Sequence, residues 1–351
     1  MHIGYFCYSL SGAGPRVRAR TVISAIADRT DHEVTLVTNT ETNFSHDDVN
    51  VYPILSEDIY PMLRNMIKTR NILSDCDIVH VPVNIYQLIY VTFCKVGPRV
   101  AGAGIQHEPQ YRYLTRLLNV DLMIETHDQV AELWQQSGVE STYIYPAIDR
   151  EVFTPQPDAV CDTLRTDLGI PKQDTVLLFV GCLKRTKGAE LIAALPERIN
   201  DPTISLVVVG DGELQEKFTD RDDLTYVGFV ENEDLPKYYS MADVTLVPSR
   251  KESFSIVSLE SIACGTPVVT TTRNDCDMAR IFKGTGTYTW TDRDVKSLAS
   301  VSLELAHDRK RYRNQVQQSF EMIESMGLSI EDAIEKYLEA YRVVQKRPSN
   351  P

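Results

Sequence analysis

The chain has 351 residues, 43% hydrophobic and 24% charged, with a formal net charge of −13. That length exceeds one ordinary core and fits two domains of about 150 to 200 residues each, and the composition excludes a disordered or fibrous protein. The acidity argues against a general nucleic-acid binder, whose phosphate affinity needs concentrated Lys and Arg; it fits plain solubility or a high-salt cytoplasm in which self-repulsion is screened.

Through the first half, HIGYFCYS, EVTLVTN, VNVYPIL, DIVHVPV, RVAGAGIQH, DLMIETH and TYIYPAI read as strands. Amphipathic segments such as VRARTVISAIADR and DQVAELWQQSG lie between most of them. This is the βαβ rhythm of a parallel sheet covered on both faces. The N-terminus MHIGYFCYSL has no basic leader and runs straight into a strand, so no signal peptide is expected. The apolar run from Ile85 is broken by Gln87 and Lys95 and is shorter than the roughly 20 residues that span a bilayer. YPMLRNMIKTRNIL, with Arg64, Lys68 and Arg70 among apolar residues, reads as a solvated amphipathic helix or as a peripheral contact with a membrane surface.

Around DREVFTPQPDAV, from Asp149 to Val160, two prolines and polar residues interrupt the rhythm, as an interdomain connection does. A second series follows. TVLLFVG, SLVVVGDG, LTYVGFV, VTLVPSR and TPVVTTT are near-continuous apolar strands, separated by KGAELIAALPERI, GELQEKFTD, NEDLPKYYSMA and FSIVSLESIACG. Beyond Thr291 a helical pattern continues to the end, and SIEDAIEKYLEAYRVV is strongly amphipathic. Two doubly wound α/β domains are therefore expected, over residues 1–155 and 156–328, with a C-terminal helix over 329–351. Seven scattered cysteines without a Cys-x-x-Cys pair fit reduced thiols, not a disulfide framework or zinc site. A cytoplasmic location follows as an expectation.

In doubly wound sheets ligands sit beyond the carboxyl ends of the strands, and three strand-end loops stand out. SGAGPR offers Gly12 and Gly14 for close backbone approach and Pro15 for a helix start, although Val17 occupies the third glycine of a Rossmann fingerprint and a simple tight turn explains it as well. GCLKRTKG carries Lys184, Arg185 and Lys187 on a glycine-flanked turn that would hold a polyphosphate, or would be a solvated basic turn. The third loop runs from Ser249 into KESFSIVSLESIACGTPVV, where Ser253, Phe254, Ser255 and Ile256 are expected to form a first helical turn with free amides.

Glu252 and Glu260 lie eight positions apart in that stretch. On one helix they would be separated by about 12 Å along the axis and about 80° around it. A glycosidase needs its carboxylates at most about 9.5 Å apart, so this pair does not suit a two-carboxylate hydrolase. Each could instead bond hydroxyls on a different part of one extended ligand; a capping glutamate beside a solvated one is the plainer alternative.

ESFSIVSLESIACGTPVV resembles the Glu-x7-Glu motif of the GT4 family of retaining glycosyltransferases, which use the GT-B fold. FVGCLKRTKG resembles the phosphate loop of that family, VVVGDGEL the strand and turn after it, and YVGFVENEDLPKYYSMADVTLVPS the segment leading to the motif. In the first half, SGAGPR is similar to its glycine loop, IQHE to its strand-end histidine and YPAIDREVFTP to its exit into the linker. The resemblance implies two Rossmann-like domains facing a cleft, the acceptor on the first, a nucleotide diphosphate sugar on the second, and the last helix returning to the first domain. It implies that Glu260 binds the ribose, Glu252 the transferred sugar, Lys187 the diphosphate, the backbone at Ser253 to Ile256 the sugar or distal phosphate, and Gly12 and Gly14 the approach to the diphosphate. His107 would contact the transferred sugar near the reacting centre; a satisfied structural histidine is the ordinary alternative.

The chain departs from the family at Cys182, where an arginine is usual and Lys184 or Arg185 would have to substitute, and at Ser253 and Ser255, where glycines are common. Glu108, beside His107, reads equally as an acceptor-side wall or as helix packing. No cofactor and no metal are expected beyond the donor itself, because the basic loop supplies the positive charge. The acceptor would be a glycan, a lipid-linked molecule or a small molecule. A nucleotide-sugar epimerase of the same fold, or a non-catalytic nucleotide-sugar-binding protein, are the rival readings.

Overall fold

The computed structural model describes all residues except 11–14, 56–58, 83, 103–108, 200, 251, 253, 272–280, 283 and 347–351. Gly12, Gly14, His107, Glu108 and Ser253 fall outside the described residues. The chain divides into two compact units, Met1–Pro146 with Ile330–Pro351, and Ala147–Ser329. Residues 147–155, assigned from sequence to the first domain, thus group with the second. The reason is visible at Ile148, whose amide donates to Leu328 O at 2.8 Å and which bridges to Ser329, so the linker is already tied into the second unit.

The first unit holds seven parallel strands, β1 (His2–Phe6), β2 (Glu33–Asn39), β3 (Val49–Leu55), β4 (Ile78–Val81), β5 (Arg99–Gly102), β6 (Leu122–Glu125) and β7 (Ser141–Tyr143), in the order 3-2-1-4-5-6-7. Pro53 sits in β3, the edge strand, where a missing amide costs the least. Connecting helices are α1 (Pro15–Arg29), α2 (Ile59–Leu73), α3 (Ile85–Cys94), α4 (Pro109–Leu117) and α5 (Asp128–Gln136). Crossovers between parallel strands are right-handed, and the strand order runs one way from β1 to β2 and the other way from β3 through β7. α1 therefore covers one face and α2 to α5 lie side by side on the other. Their inner sides share one core with the sheet, including Leu73, Leu88, Val91, Met123 and Trp134, all fully buried.

In the second unit α6 (Asp158–Asp167) leads into β8 (Thr175–Val180), α7 (Ala189–Ala193), α8 (Leu195–Ile199), β9 (Ile204–Val209), β10 (Thr225–Gly228), α9 (Leu235–Met241), β11 (Val244–Val247), α10 (Ile256–Ala263), β12 (Val268–Thr271), β13 (Tyr288–Thr291), α11 (Val295–His307) and α12 (Arg309–Ser325). Its six parallel strands run 10-9-8-11-12-13. β8 and β11 are central and buried along most of their length, which is why they read as continuous apolar runs rather than alternations. KGAELIAALPERI forms two short helices, α7 and α8, because Pro196 cannot continue a ladder through its own position. GELQEKFTD shortens to a single 3-10 turn, Gln215–Lys217.

The last helix, α13 (Ile330–Gln345), belongs to the first unit and packs against α1. Tyr341 of α13 stands between Tyr5 and His80: its hydroxyl lies 2.9 Å from Tyr5 Oη and 2.7 Å from His80 Nδ1. Burial, and then the charge of Arg18, pushes the His80 imidazole down to about 3, so it stays neutral. Arg18 of α1 lies 5.7 Å over the Tyr337 ring and donates to Ile144 O at 2.7 Å. The helix is thereby fastened to the sheet by buried polar bonds as well as by its apolar stripe. Among the described residues no helix is long and apolar enough to cross a membrane.

Candidate functional site

In the second sheet the strand order reverses between β8 and β11, the switch point beyond whose strand ends ligands of such sheets bind. The loops that leave these two strands both carry residues singled out from sequence. The loop after β8 is pinned by Leu183, which is fully buried, donates to Asp211 O at 2.6 Å and accepts from the Leu214 amide at 2.8 Å. Gly210 makes this fit possible, since a Cβ there would meet Gly181 O at 2.1 Å and its φ is 126°.

Arg185–Lys187 then form one 3-10 turn that ends on Gly188, with φ 80°. A Cβ on Gly188 would stand 2.2 Å from Pro248 O, so only glycine lets this loop touch the end of β11. Two residues on, the Arg250 amide donates to Thr186 O at 2.8 Å. The two loops are zipped together, and that sets Lys187 over Glu252: Nζ to Oε2 is 2.6 Å. Ser249 Oγ donates to the same oxygen at 3.1 Å. The Glu252 side chain is 12% exposed and that of Lys187 35%. Lys184 is half-buried and Arg185 exposed on the same turn.

α10 begins at Ile256, not at Ser253, because Ser255 is its N-cap and accepts from the Ser258 amide at 3.1 Å. Ser255 takes the third amide of the helix mouth, and the first two, those of Ile256 and Val257, precede any intrahelical acceptor. Phe254 is buried and meets Phe282 edge-on at 5.2 Å, which anchors the loop just before the helix. Glu252 therefore lies outside the helix that carries Glu260, and the separation worked out for one continuous helix does not describe the pair.

Glu260 lies in the second turn of α10, 5% exposed. Tyr239 of α9, fully buried, donates to Glu260 Oε2 at 2.6 Å. Burial pushes the Glu260 carboxyl up to about 7, against the lowering effect of the Tyr239 bond. The two glutamates have distinct settings: one ion-paired at the mouth, one in a dry wall with a single hydroxyl donor on one oxygen.

A third carboxylate was not foreseen. Glu190 Oε1, on α7, accepts from Arg250 Nη2 at 2.7 Å and from Arg293 Nη2 at 2.8 Å. Burial raises its carboxyl, but the two guanidiniums outweigh that and hold it below the usual range. This triad ties the ends of β11 and β13 to the helix that follows the basic turn. Tyr239 was also missed; a tyrosine within an apolar helix gives no sequence signal for the carboxylate it will meet.

Two open cavities, of about 410 and 390 Å³, lie elsewhere in this unit, lined by residues such as Trp290 and Lys296 or Tyr312 and Phe320; neither includes Glu252 or Glu260. Among the described residues Asp28, His46 and Asp48 have ligand-type atoms within 4.8 Å of one another. There His46 Nδ1 accepts the Asp48 amide at 3.2 Å, and Nε2 lies 3.1 Å from Asp28 Oδ1.

Residues 161–322 match the family described as glycosyl transferases group 1. An uncharacterized glycosyltransferase of Methanocaldococcus jannaschii is 38% identical over 113 residues, 30% of this chain and 29% of that protein. A D-inositol 3-phosphate glycosyltransferase of Corynebacterium jeikeium is 31% identical over 205 residues, 51% of this chain and 48% of that protein. The aligned part thus spans about half or less of these relatives. Among solved structures, HepE of Anabaena, in complex with UDP and glucose, superposes with a TM-score of 0.78 at 15% identity, over 97% of this chain and 99% of that one. The fold is that of the GT-B glycosyltransferases, and residues 161–322, which hold Lys187, Glu252 and Glu260, carry the match to glycosyl transferases group 1.

Proposed function

We propose that this chain is a retaining glycosyltransferase of GT4 type that moves a sugar from a nucleoside diphosphate donor to an acceptor hydroxyl without a metal. The observation that supports the proposal is the Lys187–Glu252 ion pair between the loops that follow β8 and β11, the switch point of the second sheet, within the residues that match glycosyl transferases group 1; the buried Glu260 lies on the helix that follows. In this reading the diphosphate lies against Lys187, with Lys184 or Arg185 in place of the arginine absent at position 182, and against the amides at the mouth of α10. Glu260 presents its remaining oxygen to the ribose, and Glu252 takes hydroxyls of the transferred sugar. Fixed cations and amides stabilise the departing diphosphate, which is where charge develops. His107, Gly12 and Gly14 would complete the site from the first unit.

The test is release of nucleoside diphosphate from UDP-, GDP- and ADP-linked sugars. Release should require an acceptor, persist in EDTA, vanish in Glu252→Ala and give a product with the donor's anomeric configuration by proton NMR. Turnover without an acceptor would favour an epimerase, and binding without turnover a regulatory protein.

For the partner we propose that the outer side of α2 to α4 rests on an anionic bilayer. Ile67, Tyr86, Phe93, Tyr113 and Leu117 are 59–75% exposed there. Tyr86 and Phe93 are seven residues apart and so share a face of α3, and Tyr113 and Leu117 share one of α4. In a chain of net charge −13, these helices and the residue after α3 carry Arg64, Lys68, Arg70, Lys95, Arg112 and Arg116 and no acidic residue. Aromatic rings at headgroup depth with flanking cations are the chemistry of peripheral membrane contact.

A further inference from the structure

The basic turn and the sugar-side glutamate are paired with each other. Lys187 Nζ is 2.6 Å from Glu252 Oε2, and the zipped loops hold the pair in register through the Arg250 amide on Thr186 O and the contact of Gly188 with Pro248. Resting on the glycosyltransferase reading above, we infer that this pair is an exchange switch that makes sugar binding conditional on the diphosphate. A diphosphate takes over Lys187 as its counter-ion and releases Glu252 Oε2 from the ammonium. Ser249, which donates to that same oxygen at 3.1 Å, keeps the carboxylate aimed while the cation leaves.

The physical case is one of competition for a single cation. An ammonium has three donors but one positive charge, so a carboxylate and a diphosphate that share it repel each other, and the diphosphate carries the larger charge. Lys187 is on the last residue of a 3-10 turn with a third of its side chain exposed, so it can swing on its stem without moving the backbone. Glu252 is nearly buried and hydrogen-bonded by Ser249, so it stays. A sugar without a diphosphate meets a glutamate already neutralised by Lys187; a nucleoside diphosphate sugar brings the group that frees it. The pair thus acts as a specificity element that couples the two ends of one ligand, and the coupling is reciprocal.

The consequence has a sign that a merely structural ion pair does not share. Breaking the pair from the glutamate side should strengthen binding of the bare diphosphate, because Lys187 no longer has to leave a partner. UDP, GDP and ADP are titrated calorimetrically into the full chain, and the one that binds is carried through wild type, Glu252→Gln, Lys187→Met and the double variant. Glu252→Gln should bind that diphosphate about two- to five-fold more tightly, the range of a partly exposed ion pair. The gain should disappear in the Lys187→Met background, which separates the switch from a general loss of negative charge. The corresponding nucleotide sugar should bind Glu252→Gln no more tightly than wild type.

An unchanged or weaker affinity of Glu252→Gln for the diphosphate overturns the switch while leaving the transferase reading in place. A gain that persists without Lys187 overturns it too. If wild type binds none of the three diphosphates, the reading on which the switch rests fails with it.

Discussion

Glu260 gives the sharpest prediction, because its buried carboxyl is held up to about 7 from an ordinary 4.5. The native state therefore binds a proton more readily than the unfolded chain between these values. Stability falls as pH rises from about 4.5 to about 7 and stays lower above it. A rise from 4.5 to about 7 corresponds to roughly 3–4 kcal/mol at most, at about 1.4 kcal/mol for each tenfold in proton affinity. Glu260→Gln keeps the shape, lets an amide oxygen accept from Tyr239, and removes the charge. It should stabilise the second unit by about 1–3 kcal/mol at pH 8, and by little at pH 4.5. For a unit of this size that is a rise in melting temperature of roughly 2–12 °C. Calorimetric melts of both proteins at half-unit pH steps make the measurement. The difference between them isolates Glu260 from Glu125, whose carboxyl burial also pushes up to about 7. If the two curves run parallel from pH 4.5 to 8, or if the variant is less stable at pH 8, the argument from burial is wrong. Under the proposed function the same variant should bind the donor more weakly, so stability and binding would move in opposite directions.

Gly188→Ala places a Cβ against Pro248 O at a left-handed backbone position; it should cost more than about 1–3 kcal/mol in urea denaturation and abolish the thermal shift given by nucleoside diphosphates. Tyr341→Phe leaves His80 Nδ1 and the Tyr5 hydroxyl without their shared partner and should destabilise the first unit by about 1–3 kcal/mol, read as an earlier urea transition. Tyr86→Ser with Phe93→Ser should reduce co-sedimentation with phosphatidylglycerol vesicles at least several-fold while leaving nucleotide binding unchanged; wild type should fail to sediment with neutral vesicles or in high salt.

Sequence reading succeeded where periodicity and strand-end position carry the information. The strands of both sheets that are buried on two faces stand out as Val-, Ile- and Leu-rich runs, and the loops that follow β8 and β11 contain the charged residues that meet at the switch point. It failed where a tertiary contact decides the local geometry. β13 over Tyr288–Thr291, Tyr-Thr-Trp-Thr, alternates as a strand should, but four residues are too few for the pattern to stand out. The start of α10 depends on which serine caps it, and both Ser253 and Ser255 are good candidates by type; the Ser258 amide selects Ser255. The Glu190 triad and the Tyr239 hydroxyl join residues 21 to 103 positions apart, distances at which a single sequence holds no pairing signal.

The return of α13 to the first unit has a bearing on how the polypeptide is made. Residues 1–146 leave the ribosome first, yet Tyr5 and His80 cannot reach their hydroxyl partner until Tyr341 has been translated, after the whole of the second unit. Domains ordinarily close in the order of synthesis, so here the order is inverted: the later unit can finish its core while the earlier sheet waits with the face that α1 and α13 share only partly covered. A chain stalled or cut before residue 330 should therefore expose the α1 side of that sheet and depend on a chaperone far more than a chain stalled a few turns later.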